Sequence, residues 1–161
     1  MAYSYTEETI ATLKAFILAN YNTYLAQITT EKADDIPLPM IETQNLSTTY
    51  IDLESQKKWP YMTIIPFAED WKLLTTGSDQ VECGIQITIV IGGYRETYLS
   101  NMILRYASAM RNMLSANYTL GVSGHNLEVS PEMSVVYFQE VQGQADLKAC
   151  RLTIVIRKDI V

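Results

Sequence analysis

The single histidine of this 161-residue chain, His125, lies in a Ser-Gly-His-Asn loop, two residues from Ser123. Acyl transfer by such a pair needs the imidazole within reach of the hydroxyl and held in place by a carboxylate. No nucleophile-elbow pattern surrounds these residues, so the plainer reading is a turn histidine. Gly92-Gly93 falls between a β-patterned and a helix-patterned stretch, where backbone amides can cradle phosphate. Neither Gly-x-Gly-x-x-Gly nor a Lys-Ser/Thr ending is present, which favours a tight turn with close helix–strand approach. Asp34-Asp35 could hold a divalent cation only with further converging oxygens, and a solvated acidic loop needs none. Cys83 and Cys150 are 67 positions apart, each in a β-patterned run. That spacing suits two buried, reduced thiols better than a zinc or redox site. Zinc-ligand spacing and RNA-binding aromatic motifs are also missing. The residues therefore point to no enzyme and no cofactor or metal.

The elements that position these residues centre on Val81–Leu114. Val81, Cys83, Ile85, Ile87, Ile89 and Ile91 share one parity and Glu82, Gln86 and Thr88 the other, which predicts a strand with one buried face. After Gly92-Gly93 the period changes. Leu99, Met102, Ile103, Tyr106, Met110, Met113 and Leu114 fall within about 60° of one direction on a helical wheel. Ser4-x-x-Glu7 has the form of a capping box, opening a first helix with Ile10, Leu13, Ile17, Tyr21, Tyr24 and Ile28 on one face and an end near 28–30. Pro37 and Pro39 exclude a regular helix over residues 31–58, which read as an extended connector. A short strand is expected over Thr48–Ile51. Another is expected at Trp59–Pro66, bracketed by its prolines. Trp71–Leu74 then pairs with Val81–Ile91 as a long hairpin across a 75–80 turn cluster. Leu127–Ser130, Val135–Phe138 and Leu147–Lys158 complete the strands. The expected fold class is α+β in one domain spanning 1–161: a mostly antiparallel or mixed β-sheet with two main helices packed on one face.

Bulk properties narrow the partners. The net charge of −6 resides in residues 1–80, which carry 5 Lys and 11 Asp/Glu, whereas residues 81–161 are balanced at 7 and 7. Such a chain is poorly suited to grip nucleic acid, though DNA could pass beside it. No apolar run approaches the roughly 18 residues of a membrane span, and the N-terminus lacks the basic and apolar regions of a signal peptide. No membrane partner and a cytoplasmic site of synthesis are the expectations. The outer side of the second helix offers Asn101, Leu104, Arg105, Ser108, Arg111 and Asn112 with no carboxylate between Thr97 and Leu127. This face and the sheet edges are candidate docking surfaces.

The order of elements, with Trp59-Pro60-Tyr61-Met62-Thr63-Ile64-Ile65-Pro66 followed by a hairpin into Ile85-Gln86-Ile87-Thr88-Ile89-Val90-Ile91, a helix and closing strands, resembles the tail-terminator and tail-completion proteins of long-tailed bacteriophages. The long 31–58 connector and the 115–146 region depart from the usual pattern. The resemblance implies a virion structural protein of the tail or neck, assembled in the host cytoplasm. It would form a hexameric ring that ends the tail tube and meets the head-side connector or stopper protein. DNA would pass through the lumen without sequence-specific binding. It implies no catalytic residues. A closed ring uses a heterologous interface, expected on the hairpin with Trp71, Leu73, Asp79 and Gln86 and on the helix face with Leu104, Arg105 and Arg111. Another neck protein, such as a stopper or sheath-side completion protein, is the alternative. A small-molecule binding or enzyme domain is a more distant one.

Overall fold

The computed structural model describes residues 4–49, 58–75, 77–123 and 126–160. The fold is α+β: two long helices and a six-stranded mixed sheet. Helix α1 (Tyr5–Lys32) starts where the Ser4 hydroxyl accepts a hydrogen bond from the Glu7 N–H, as a capping box requires. It ends at Ala33, whose left-handed backbone donates back to the Thr29 carbonyl. The connector runs extended past Pro37 and Pro39 into a 3₁₀ turn (Thr43–Asn45) and a two-residue strand β1 (Leu46–Ser47). The strand expected at Thr48–Ile51 is therefore earlier and shorter, and Tyr50 and Ile51 lie outside the described residues.

Strands β2 (Tyr61–Thr75) and β3 (Ser78–Ile91) form one hairpin with register shifts at Pro66/Ala68 and Leu73/Thr75, longer than the sequence pattern suggested. Its turn is also tighter. Thr75 pairs with Ser78, and Gly77 adopts φ +91°, which only glycine takes up at no steric cost. Ser78, Asp79 and Gln80 therefore belong to the strand and not to a loop. Pro66 does not end its strand. It lies within β2 at a bulge where Phe67 is the extra residue between the pairs Pro66–Ile85 and Ala68–Gly84. A residue without an N–H is tolerated at such an edge and bulge position.

Helix α2 (Glu96–Ala116) follows the hairpin. β4 (Leu127–Val129) and β5 (Ser134–Phe138) then pair with different parts of the closing strand β6 (Lys148–Ile160), giving the order β1-β2-β3-β6-β4 with β5 also on β6. β1 runs parallel to β2 and the other pairs are antiparallel. The core lies between the sheet and the two helices. It contains all six odd-numbered residues of Val81–Ile91, the whole predicted α2 stripe, and Cys150, Leu152, Ile154 and Ile156 of β6. On α1 the buried stripe is Ile10, Leu13, Ile17, Tyr21 and Leu25, with Tyr24 and Ile28 only partly covered. Tyr21 joins the helices, its buried hydroxyl donating to the Tyr106 carbonyl over 2.7 Å.

The opposite face of the sheet has no helix over it among the described residues. A small second cluster of Val90, Leu147 and Ala149 packs there with Trp59 and Phe138.

Candidate functional site

The far half of the β2–β3 hairpin lies beside the first turn of α1, and β3 stays paired with β6 out to Asp79–Ile160. There Phe67, Trp71, Leu73 and Leu74 are all exposed, Leu73 at 77% and Trp71 at 53%. The bulge at Phe67 restores the alternation, so Glu69, Trp71 and Leu73 lie on the helix side, opposite Cys83, Val81 and Asp79. Trp71 is held in one orientation. Its indole N–H donates to Glu69 over 2.7 Å, and its ring meets that of Tyr5 edge-on, with centroids 5.6 Å apart. Glu69 also accepts from the Thr6 hydroxyl, and these two hydrogen bonds lower its pKa. Phe67 lies on the other side, over Gly84, where a Cβ would approach the ring to 2.8 Å. Past Thr63 no described strand pairs with the outer edge of β2. The hairpin end thus combines apolar side chains, an edge unpaired among the described residues and the carboxylates Glu69, Asp70 and Asp79.

The α2 face is less available than its sequence suggested. Arg105 does not stand free: it makes a two-pronged contact with Asp34, one N–H donating over 2.8 Å, and its side chain is only 11% exposed. The guanidinium holds the Asp34 carboxyl at about 2, well below the usual range. Asp35 accepts from the Tyr98 hydroxyl, and the Tyr106 hydroxyl donates to the Pro39 carbonyl over 2.5 Å. The acidic pair therefore stays exposed to solvent, as an acidic loop was expected to be, and also straps the connector onto α2. Leu104 and Arg111 remain exposed beside it.

Gln86 lies apart from both groups, in the middle of the uncovered sheet face. It lines a cleft of about 230 Å³ with Ile65, Thr88, Val90, Phe138 and Arg151, closed at one end by the Glu140–Gln142 loop. Arg151 donates from Nε to the Thr88 hydroxyl and lies over the Phe138 ring, 5.2 Å from its centroid. No carboxylate pairs with it among the described residues. The sequence did carry a trace of this cleft: Ile65 and Val90 occupy positions that strict alternation reserves for polar residues.

The structure gathers Trp71, Leu73 and Asp79 at the hairpin end and Leu104, Arg105 and Arg111 on α2, and does not bring these sets together. Gly92 and Gly93 form no open cradle. A Cβ on Gly92 would lie 2.5 Å from Leu147 and 3.2 Å from the Trp59 indole nitrogen, and Gly93 has φ +81°. His125 and Gly124 lie outside the described residues. Cys83 and Cys150 are buried free thiols, and burial pushes Cys150 up to about 12. Among the described residues no three His, Cys, Asp or Glu side chains converge to hold a metal, and no helix is long and apolar enough to cross a membrane.

No protein-family model matches the sequence, and no curated protein matches it.

Proposed function

We propose that the chain is a structural subunit of a bacteriophage neck, a tail terminator. Its copies would close into a ring, expected to be hexameric, on the end of the tail tube and present a surface to the head-side connector. The observation that carries this reading is the hairpin end, where Phe67, Trp71, Leu73 and Leu74 are exposed beside a strand edge that has no partner among the described residues. Clustered exposed apolar side chains next to unpaired backbone groups favour pairing with another chain. The apolar hairpin end lies at one end of the sheet and has no copy of itself at the other. It therefore suits a head-to-tail contact, the kind that generates rings. The negative charge of the first half would let DNA pass through a lumen without adhering to it.

Native mass spectrometry of the chain, alone and mixed with purified tail-tube ends, tests the proposal. A hexamer, formed freely or on the tube, is the expected result. A chain that stays monomeric and leaves tube ends uncapped would overturn it.

A further inference from the structure

We infer that the cleft on the uncovered sheet face receives the hairpin end of a second copy of this chain, so that each subunit carries both halves of one head-to-tail contact. The inference rests on the ring-forming reading and deepens it by naming the receiving surface.

Size indicates what the cleft can hold. At about 230 Å³ it falls below the roughly 300–1,000 Å³ typical of small-molecule sites and suits one or two large side chains. Its chemistry is complementary to the hairpin end. The cleft has apolar walls, Ile65, Val90 and Phe138, and a cation, Arg151, fixed by Thr88 and stacked on Phe138. Because that guanidinium has no carboxylate among the described residues, its remaining N–H groups can accept one. Glu140, on the loop at one end, is the acidic residue lining it. The hairpin end offers apolar Trp71, Leu73 and Leu74 together with exposed Asp70, which makes no ion pair among the described residues. A subunit cannot fill its own cleft. Ile65 and Leu73 lie on one strand, about 25 Å apart at the usual rise per residue. The occupant must come from another copy, and the two surfaces do not overlap, so every copy can give and receive at once.

Complementation between variants tests this. Leu73→Glu spoils the apolar hairpin end at a side chain with few contacts to lose. Arg151→Glu and, separately, Gln86→Trp spoil the cleft. Circular dichroism melts identify any variant that fails to fold, and the two cleft variants act by different means. Each variant alone should associate about tenfold more weakly or worse, in solution or on tube ends. An equimolar mixture of Leu73→Glu and Arg151→Glu should yield a one-to-one dimer and nothing larger, because one intact hairpin end and one intact cleft remain. Leu73→Cys mixed with Gln142→Cys should give an intermolecular disulfide. If both cleft variants assemble like the unchanged chain, the hairpin docks elsewhere: the inference fails and the ring reading stands. If the unchanged chain neither associates nor caps tubes, both fail.

Discussion

Two residues adjacent in sequence, Asp34 and Asp35, hold the connector against α2, and their chemistry sets an acid response. Asp34 is held at about 2 by the Arg105 guanidinium, against an ordinary 3.8. A carboxyl depressed in the folded state stabilises fully above its unfolded pKa. It loses that contribution as pH falls through its folded value. The strap should therefore weaken between about pH 4 and pH 2. Urea midpoints measured at pH 5 and near pH 2 should fall less for Asp34→Asn than for the unchanged chain. The thiols give a second expectation at this scale. Cys150 is buried with its pKa pushed up to about 12, and Cys83 is buried beside the Thr6 hydroxyl, 3.4 Å away. Neither should react with a thiol reagent at neutral pH until urea unfolds the protein, whereupon both should. The cysteine spacing alone was enough to read both as buried thiols. The Asp34–Arg105 contact was not legible, because 71 residues separate the partners and no local pattern signals such a pairing.

At the scale of elements, the strongest ties are the helix pair and the central strand. Ile87 is fully buried on β3, which lies between β2 and β6. Ile87→Ala should cost about 3 kcal/mol in chemical denaturation, from lost transfer energy and the cavity left behind. Tyr21→Phe should cost about 1 kcal/mol, since it removes only the hydrogen bond to the Tyr106 carbonyl while the ring stays packed. Lys148 poses an asymmetric case. Its side chain is 5% exposed, and its ammonium pairs with Glu96 at 2.8 Å and donates to the Gln139 carbonyl over 2.5 Å, whereas Glu96 is largely in water. Glu96→Ala strands a buried cation and should destabilise by about 2 kcal/mol, more than Lys148→Met, which leaves a solvated carboxylate. The buried stripes of β3, α2 and β6 were readable because each keeps one period along its length. α1 was readable only in part. Its stripe moves from Tyr21 to Leu25 while Tyr24 receives a hydrogen bond from the Asn117 side chain, so its last turns follow the end of α2 and not a fixed wheel direction. The strand order was not readable. β6 inserts between β3 and the β4 and β5 edge, and β1 pairs parallel to β2, arrangements set by contacts far apart in sequence.

For the molecule as a whole, the sheet is asymmetric in two ways. Helices cover one face and none covers the other among the described residues, and the exposed apolar hairpin end lies at one end of the sheet while the cleft opens on the uncovered face. The candidate surfaces were legible as a hairpin and a helix face. The cleft was not, because its walls come from β2, β3, β5 and β6 and no stretch of sequence contains it. Gly84 gives the hairpin end a control point. Gly84→Ala places a Cβ against the Phe67 ring, which is half exposed and can swing outward, so the expected result is near-wild-type melting with altered self-association. The Phe67 bulge has a wider meaning. Deleting this one residue would join the pair Pro66–Ile85 directly to Ala68–Gly84, keeping every other partner and every buried side chain. What would change is the extra bend and twist that a bulge gives its strand, and with it the direction in which the hairpin end points. In a head-to-tail assembly that direction fixes the rotation from one subunit to the next, and the rotation decides how many copies complete a full circle, or whether they spiral instead. The subunit number of the proposed ring would then be encoded in a residue on which the fold itself does not depend.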